Sequence, residues 1–395
     1  MLRVCRLVDG APLGIELAAA LARVIPGEEM ARELESNLDL LVSTEPEPPA
    51  RHASLRAIFE RSWSMLDAAE QAALAGSAVF HGGFTRAAAQ AVLGMDLLML
   101  TALLDRSLIR RHRERYYLHP VVRQYAREKL AELPGADAVR ARHAEHYFAL
   151  LLSKRPFDRS AGQRVAFEEL DRDYANLRVA WEWACTAGRG DLLEPAVRIM
   201  QRYLLTRGRV DEIYLLMELA RASAGDAPLL AAKARLAQGR AQLRQDPLRA
   251  RALIEESLQG LKRHGTDLDV ASAFHALAMA YLTLDDDELA RQYLLKALPA
   301  LERHEDKELL GICLGNLGLL SDDREEQARW LRRATATNRR SGNTSDLVKV
   351  LEVTAMSLVA DLGDYPGAIR LLDEAITKER DEIGRLDLLA YLSTL

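Results

Sequence analysis

Residue types able to do chemistry are sparse in this chain, and their spacing limits what they could do. His143 and His146 stand three apart, with Ala144 and Glu145 between them. On a helix they share a face, which is a spacing metal ligands use, but it is also the spacing of an ordinary solvated helical surface, and the second reading is favoured. Cys5, Cys185 and Cys313 are odd in number and far apart, so no local redox or zinc pair exists, and a reducing compartment is expected. His119, between Leu118 and Pro120, reads by itself as a packed histidine. The chain holds no G-x-x-x-x-G-K-[ST] and no G-x-G-x-x-G, the backbone cradles that hold nucleotide phosphates. It also lacks G-x-S-x-G, H-E-x-x-H and C-x-x-C. With no visible set of acid, base and nucleophile, a non-catalytic protein with no metal and no cofactor of its own is expected.

Two other sets of residues suit binding rather than chemistry. Arg106, Arg110, Arg111, Arg113 and Arg115 crowd one short stretch, and alternating arginines on a ribbon could touch DNA phosphates. Arg86 and Gln90 are the two residues of a preceding helix, Arg86–Leu93, able to reach base edges, which makes a poor reading head; a solvated ribbon is the preferred reading. Further on, Ser272, His275, Met279 and Leu282 would point into the groove of a helical-repeat array, as candidates for a peptide site.

The elements that would position these residues are almost all helices. Leu13, Glu16, Leu17, Ala20, Leu21 and Val24 recur at helical spacing, Pro26 and Gly27 interrupt, and a second amphipathic run ends before a Pro-rich connector at 44–50. The run Ala11–Ile25 is mostly apolar, but Glu16 and Arg23 lie inside it, so it reads as a helix and not as a signal peptide. From Ser54 a new module starts. Asp67, with Glu70 three residues on, predicts a capping box and a helix to about Phe80; Thr85 caps the helix Arg86–Leu93; another helix holds Leu97–Leu104. Residues 107–118 predict a two-stranded ribbon turning at His112–Glu114, and a helix Val121–Leu130 closes the module. Helices, a small ribbon and a closing helix describe a winged helix.

After Pro134-Gly135 everything reads as helix, short turn, helix. The unit with Phe274, Leu277, Ala278, Tyr281, Ala290, Leu294 and Ala297 follows the tetratricopeptide pattern, in which small residues sit where paired helices cross closely. Corresponding alanines fall at Ala250, Ala290, Ala328 and Ala368, spaced 40, 38 and 40 residues apart, with Ala196 marking an earlier, more degenerate unit. The expected fold is all-α: a helical segment 1–50, a winged-helix-like domain 51–133, and an α-solenoid of tetratricopeptide-like hairpins over 136–395. The last residues, Leu388–Leu395, look like the start of another helix.

Composition agrees with this. Of 395 residues, 49% are hydrophobic and 6% aromatic, a helix-rich globular balance. The net charge of −5 argues against a protein that coats nucleic acid; only residues 51–150 are basic, by +4. No uncharged apolar run is long enough to span a membrane, and a cytoplasmic location is expected.

The order of motifs resembles the NB-ARC-like signal-transduction ATPases (STAND) found among bacterial transcriptional regulators. The segment Leu7–Ala20 (LVDGAPLGIELAAA) resembles the Gly-x-Pro-Leu stretch that follows the family's nucleotide-binding core. RHASLR at 51–56, FHGGFT at 80–85, DRSL at 105–108 and YLHPVVRQYA at 117–126 then follow in the family's order, and LRVAWEW at 177–183 looks like its entry into the repeats. The likeness is specific over 7–130 and looser beyond, and it concerns the C-terminal part of that family, without the phosphate loop, the Mg²⁺-binding acid or a separate C-terminal helix-turn-helix. It implies that Gly10 and Pro12 lie near a nucleotide's adenine, that His119 occupies the position sensing its phosphates, and that ATP or ADP would bind only with an upstream domain or partner subunit. It also implies a winged helix folded back on the nucleotide site and repeats that sense an inducer or partner. The expected function is therefore a regulatory sensor that binds a protein, peptide or inducer through its repeat groove. The alternatives are DNA binding through the winged helix and a partial ATPase completed by another subunit.

Overall fold

The computed structural model describes residues 62–154, 161–304, 307–341, 344–357 and 365–378, together with Glu60 and Val359. The segments carrying Gly10 and Pro12, the connector at 44–50 and the residues 388–395 lie outside the described residues. Among the described residues the fold is all-α apart from one small sheet. Compactness divides the chain into two units, one of residues 1–150 with 172–183, the other of residues 151–171 with 184–395.

The described part of the first unit begins with α1 (Ala68–Gly76). Its Asp67 and Glu70 form the expected capping box, Glu70 N donating to Asp67 Oδ1 at 2.8 Å and Asp67 N to Glu70 Oε2 at 3.0 Å. The helix stops at Gly76 rather than near Phe80. A 3₁₀ turn, Ser77–Val79, follows, and Phe80 is extended, which turns the chain into His81-Gly82-Gly83. Next come β1 (Phe84–Thr85), α2 (Arg86–Leu93) and α3 (Leu97–Asp105). Thr85 caps α2 by accepting from Ala88 N, Gly94 ends it in the left-handed region at φ +69°, and Asp96 caps α3. The ribbon is β2 (Arg110–His112) and β3 (Arg115–Tyr117), antiparallel, with Arg111 opposite Tyr116 and the turn at Arg113-Glu114. β1 adds to β3 to give the order β1-β3-β2. α4 (Pro120–Glu132), α5 (Ala136–Ser153) and the middle of α6 (Ala161–Thr186) complete the layer. Stacked Phe80 and Phe84, with Tyr116, Tyr147 and Phe148, fill its core.

The second unit is a run of hairpins: α7 (Gly190–Thr206) with α8 (Val210–Ala222), α9 (Pro228–Gln242) with α10 (Pro247–His264), α11 (Asp267–Thr283) with α12 (Asp287–Arg303), α13 (Lys307–Leu319) with α14 (Arg324–Ser341), and α15 (Thr344–Ser357) with α16 (Tyr365–Lys378). Each packs on its neighbours in sequence, the arrangement of a solenoid. The repeat alanines sit where predicted. Ala196, Ala250, Ala290 and Ala368 are fully buried on second or facing helices, and Ala328 is half-buried. Glycines mark close crossings: a Cβ on Gly239 would meet Ile254 at 2.6 Å, and one on Gly318 would meet Leu331 at 2.7 Å. Among the described residues no single helix is long and apolar enough to cross a membrane.

Candidate functional site

One polar cluster of the first unit is buried. His81-Gly82-Gly83 forms a left-handed turn, with φ of +73° and +84° at its glycines. Asn176 of α6 reads that turn: its Oδ1 accepts from His81 N at 2.7 Å and its Nδ2 donates to the Gly83 carbonyl at 2.9 Å. Arg115 of β3 reaches the same carbonyl at 2.9 Å and pairs with both oxygens of Asp173, at 2.7 and 3.2 Å. Burial opposes the Arg115 charge, but the hydrogen bond and charge of Asp173 outweigh it and hold the guanidinium pKa above its ordinary value. His143 of α5 donates from Nε2 to Asn176 Oδ1 at 3.3 Å, and burial pushes its imidazole down to about 4. The cluster ties a turn, a strand and two helices together.

This corrects two sequence expectations. His143 is only 2% exposed, so the pair with His146 is neither a solvated surface nor a joint site, and among the described residues no group of three His, Cys, Asp or Glu could hold a metal. Arg115 is a core ion-pair member with a side chain 13% exposed, and it cannot present its charge to a phosphate backbone. The other ribbon arginines do face solvent: Arg110, Arg111 and Arg113 are exposed, with Arg111 Nε donating to the Arg113 carbonyl at 2.9 Å. Arg86 and Gln90 are exposed on α2 as expected. What sequence reading missed here was Asp173 and Asn176; their three-residue spacing beside Trp181 was the available signal.

α4 carries a second set of cations. The His119 carbonyl accepts the Arg123 amide at 2.8 Å, and His119 is half-buried just ahead of the helix. Arg123 is half-buried one turn on and Arg127 exposed one turn further. Burial, and then the neighbouring Arg127, lower the Arg123 pKa. Burial, and then the charges of Arg123 and Arg127, lower the His81 pKa, and its Nδ1 lies 3.1 Å from the Val79 carbonyl.

In the repeats the expected groove residues separate. Ser272 and His275 are buried, each 7% exposed, while Met279 and Leu282 are half-buried. The reason is lateral packing of the first helices. Arg240 of α9 donates to the Ser272 hydroxyl at 2.7 Å and to its carbonyl at 2.9 Å, and Asn316 of α13 lies 3.6 Å from the Met279 sulfur. Arg240 and Asn316 therefore join this face, which the sequence pattern alone did not single out. A cleft of about 940 Å³ lies elsewhere in the unit, along α14, lined by Arg324, Arg329, Arg332, Arg339, Thr335 and Leu371 among others.

No protein-family model matches the chain. A protein of Mycobacterium tuberculosis named "Putative HTH-type transcriptional regulator" is 39% identical over 193 residues, covering 46% of this chain and 22% of its own length. Another from the same organism, named "Uncharacterized protein", is 36% identical over 155 residues, covering 36% of this chain and 39% of its own. The chain thus spans about a fifth and two fifths of these relatives. Among solved structures, a Signal Transduction ATPase with Numerous Domains (STAND) protein with a tetratricopeptide repeat sensor from Pyrococcus horikoshii aligns with a TM-score of 0.40 at 14% identity, over 96% of this chain and 68% of that one. BtubC (BKLC) from P. vanneervenii aligns with a TM-score of 0.42 at 19% identity, over 60% of this chain and 90% of that one.

Proposed function

We propose that this chain is the sensor part of a transcriptional regulator, a winged-helix module followed by helical repeats that bind a protein or peptide, with no catalytic step of its own. Its likeness to a protein named as a transcriptional regulator supports the regulatory setting. The observation that carries the binding reading is the lateral continuity of the first helices α9, α11 and α13. Half-buried Arg240, Met279 and Asn316, with the buried Ser272 that Arg240 holds, make one row of a cation, a thioether, a carboxamide and a hydroxyl. Such a row offers hydrogen bonds to a peptide backbone and a soft apolar contact for a side chain. A photoreactive amino acid at position 279 should crosslink one partner in cells, and Arg240→Glu should abolish that product. Labelling at 279 no stronger than at exposed Leu205 would sink the reading.

A second reading, DNA binding by the first unit, rests on exposed Arg86, Gln90, Arg110, Arg111 and Arg113. With about four phosphate contacts, the log–log salt slope of binding to duplex DNA would be about −3.6. A slope near zero removes this reading.

A further inference from the structure

Arg123 and Arg127 stand one turn apart on one face of α4, the first half-buried and the second exposed. Among the described residues neither guanidinium has a carboxylate or a hydrogen-bond acceptor. This sets them apart from Arg115, Arg207, Arg291 and Arg339, each of which pairs with an acid. Leaving a half-buried charge next to a like charge is costly unless a counter-ion completes it.

The third side is His81. α4 packs on the 3₁₀ turn Ser77–Val79 just ahead of this histidine. The His81 backbone is pinned by Asn176, and its Nδ1 lies 3.1 Å from the Val79 carbonyl. With the proton on Nδ1 donated to that carbonyl, Nε2 is left as the free ring position. Two fixed guanidiniums and one imidazole that can charge amount to between +2 and +3, which a single carboxylate does not balance and a dianion does. We propose that His81, Arg123 and Arg127 form an oxyanion notch that takes a phosphoryl group, with the two guanidiniums as its permanent charge and His81 Nε2 as a donor recruited on binding.

The notch has a signature in pH. Burial is the main cause that lowers the free His81 pKa, and Arg123 and Arg127 add to it; the Val79 carbonyl and Glu182 of α6 oppose. His143 of α5 also lies within its field. A bound dianion reverses the balance, so binding takes up a proton at His81. Sulfate keeps its charge across the range of interest, so any change in its affinity comes from the protein.

The test is calorimetric titration of the full chain with sulfate, inorganic phosphate and ADP. Saturable sulfate binding is expected, tightening several-fold between pH 7.5 and pH 5.5, up to about tenfold per pH unit for one proton taken up. Arg123→Gln with Arg127→Gln should abolish it without lowering the melting temperature. His81→Gln should flatten the pH dependence, and Arg340→Gln, in the repeats, should leave binding unchanged. ADP binding more tightly than inorganic phosphate assigns the phosphoryl group to a nucleotide; equal affinities assign it to an isolated phosphoryl group. No saturable binding up to about 20 mM, a level at which a site worth even 3 kcal/mol fills substantially, overturns the proposal. Binding that survives the double substitution overturns it too.

Discussion

Arg115 shows how differently one residue type behaves across a few positions. Its ribbon neighbours Arg110, Arg111 and Arg113 lie in solvent, whereas Arg115 is enclosed with Asp173 and donates to the Gly83 carbonyl. Removing one member of such a pair strands the other in a poorly solvated place. Arg115→Gln or Asp173→Asn should each cost about 2–4 kcal/mol in urea denaturation, with the double variant losing less than the sum. Additive losses would mean that the pair contributes nothing as a pair. Arg115→Gln should leave the salt slope of any DNA binding unchanged, which separates its structural place from a phosphate contact. His143 gives the acid side of the same cluster. Its pKa falls from 6.5 to about 4 in the fold, so between those values the unfolded chain binds more protons than the native one. Its contribution is complete above pH 6.5 and is lost as the pH falls towards 4, by about 3 kcal/mol at most. His81 and His146 are shifted in the same direction. Denaturation midpoints at pH 7 and pH 5 should therefore differ, and His143→Gln should show a smaller difference than the parent; an equal difference would remove His143 as the cause.

At the scale of elements, what was legible in the sequence was what neighbours in sequence determine. Asp67 with Glu70, and Thr85 with the amide of Ala88, place helix starts through contacts three residues long, and both were found where predicted. The ribbon turn and the repeat alanines follow from equally local patterns. The end of α1 was misjudged because it depends on a distant partner: a Cβ at Gly76 would lie 2.5 Å from Leu93, and the chain bends there to pack α2. The burial of Arg115, His143 and Ser272 is invisible for the same reason, since Asp173, Asn176 and Arg240 lie 58, 33 and 32 residues away. Gly83 shows the cost of ignoring such contacts. Its φ of +84° disfavours any side chain, and a Cβ would meet the Tyr117 ring at 2.5 Å and the Tyr116 carbonyl at 2.9 Å. Gly83→Ala should destabilise the first unit by about 2 kcal/mol or more. A change within about 0.5 kcal/mol would mean that the turn is not held as described.

Across the whole molecule the two units distribute stability differently. The first closes a turn, a sheet and helices around shared aromatic rings, so its contacts are interlocked. The second is a chain of hairpins, and in such an array stability is roughly a sum of each hairpin's own packing and its contacts with neighbours. The hairpin α15–α16 has its own small cluster, Leu347, Val348, Leu351, Ala355, Ala368, Leu372 and Ala375, whereas α11 to α14 share a larger one that runs from Ala271 to Ala334 and takes in Val350 of α15. Leu372 is fully buried, and Leu372→Ala should cost about 2–5 kcal/mol. That loss falls within one hairpin. Amide hydrogen exchange should therefore speed up across 344–357 and 365–378 and stay at its parental rate in α4 and α11. Leu294→Ala, in the shared cluster, should instead raise exchange in α11 to α14 together. If Leu372→Ala raised exchange uniformly through the second unit, the hairpins would be one cooperative block, and ligand binding on the α9–α13 face would then be felt at α16 as strongly as at its own site.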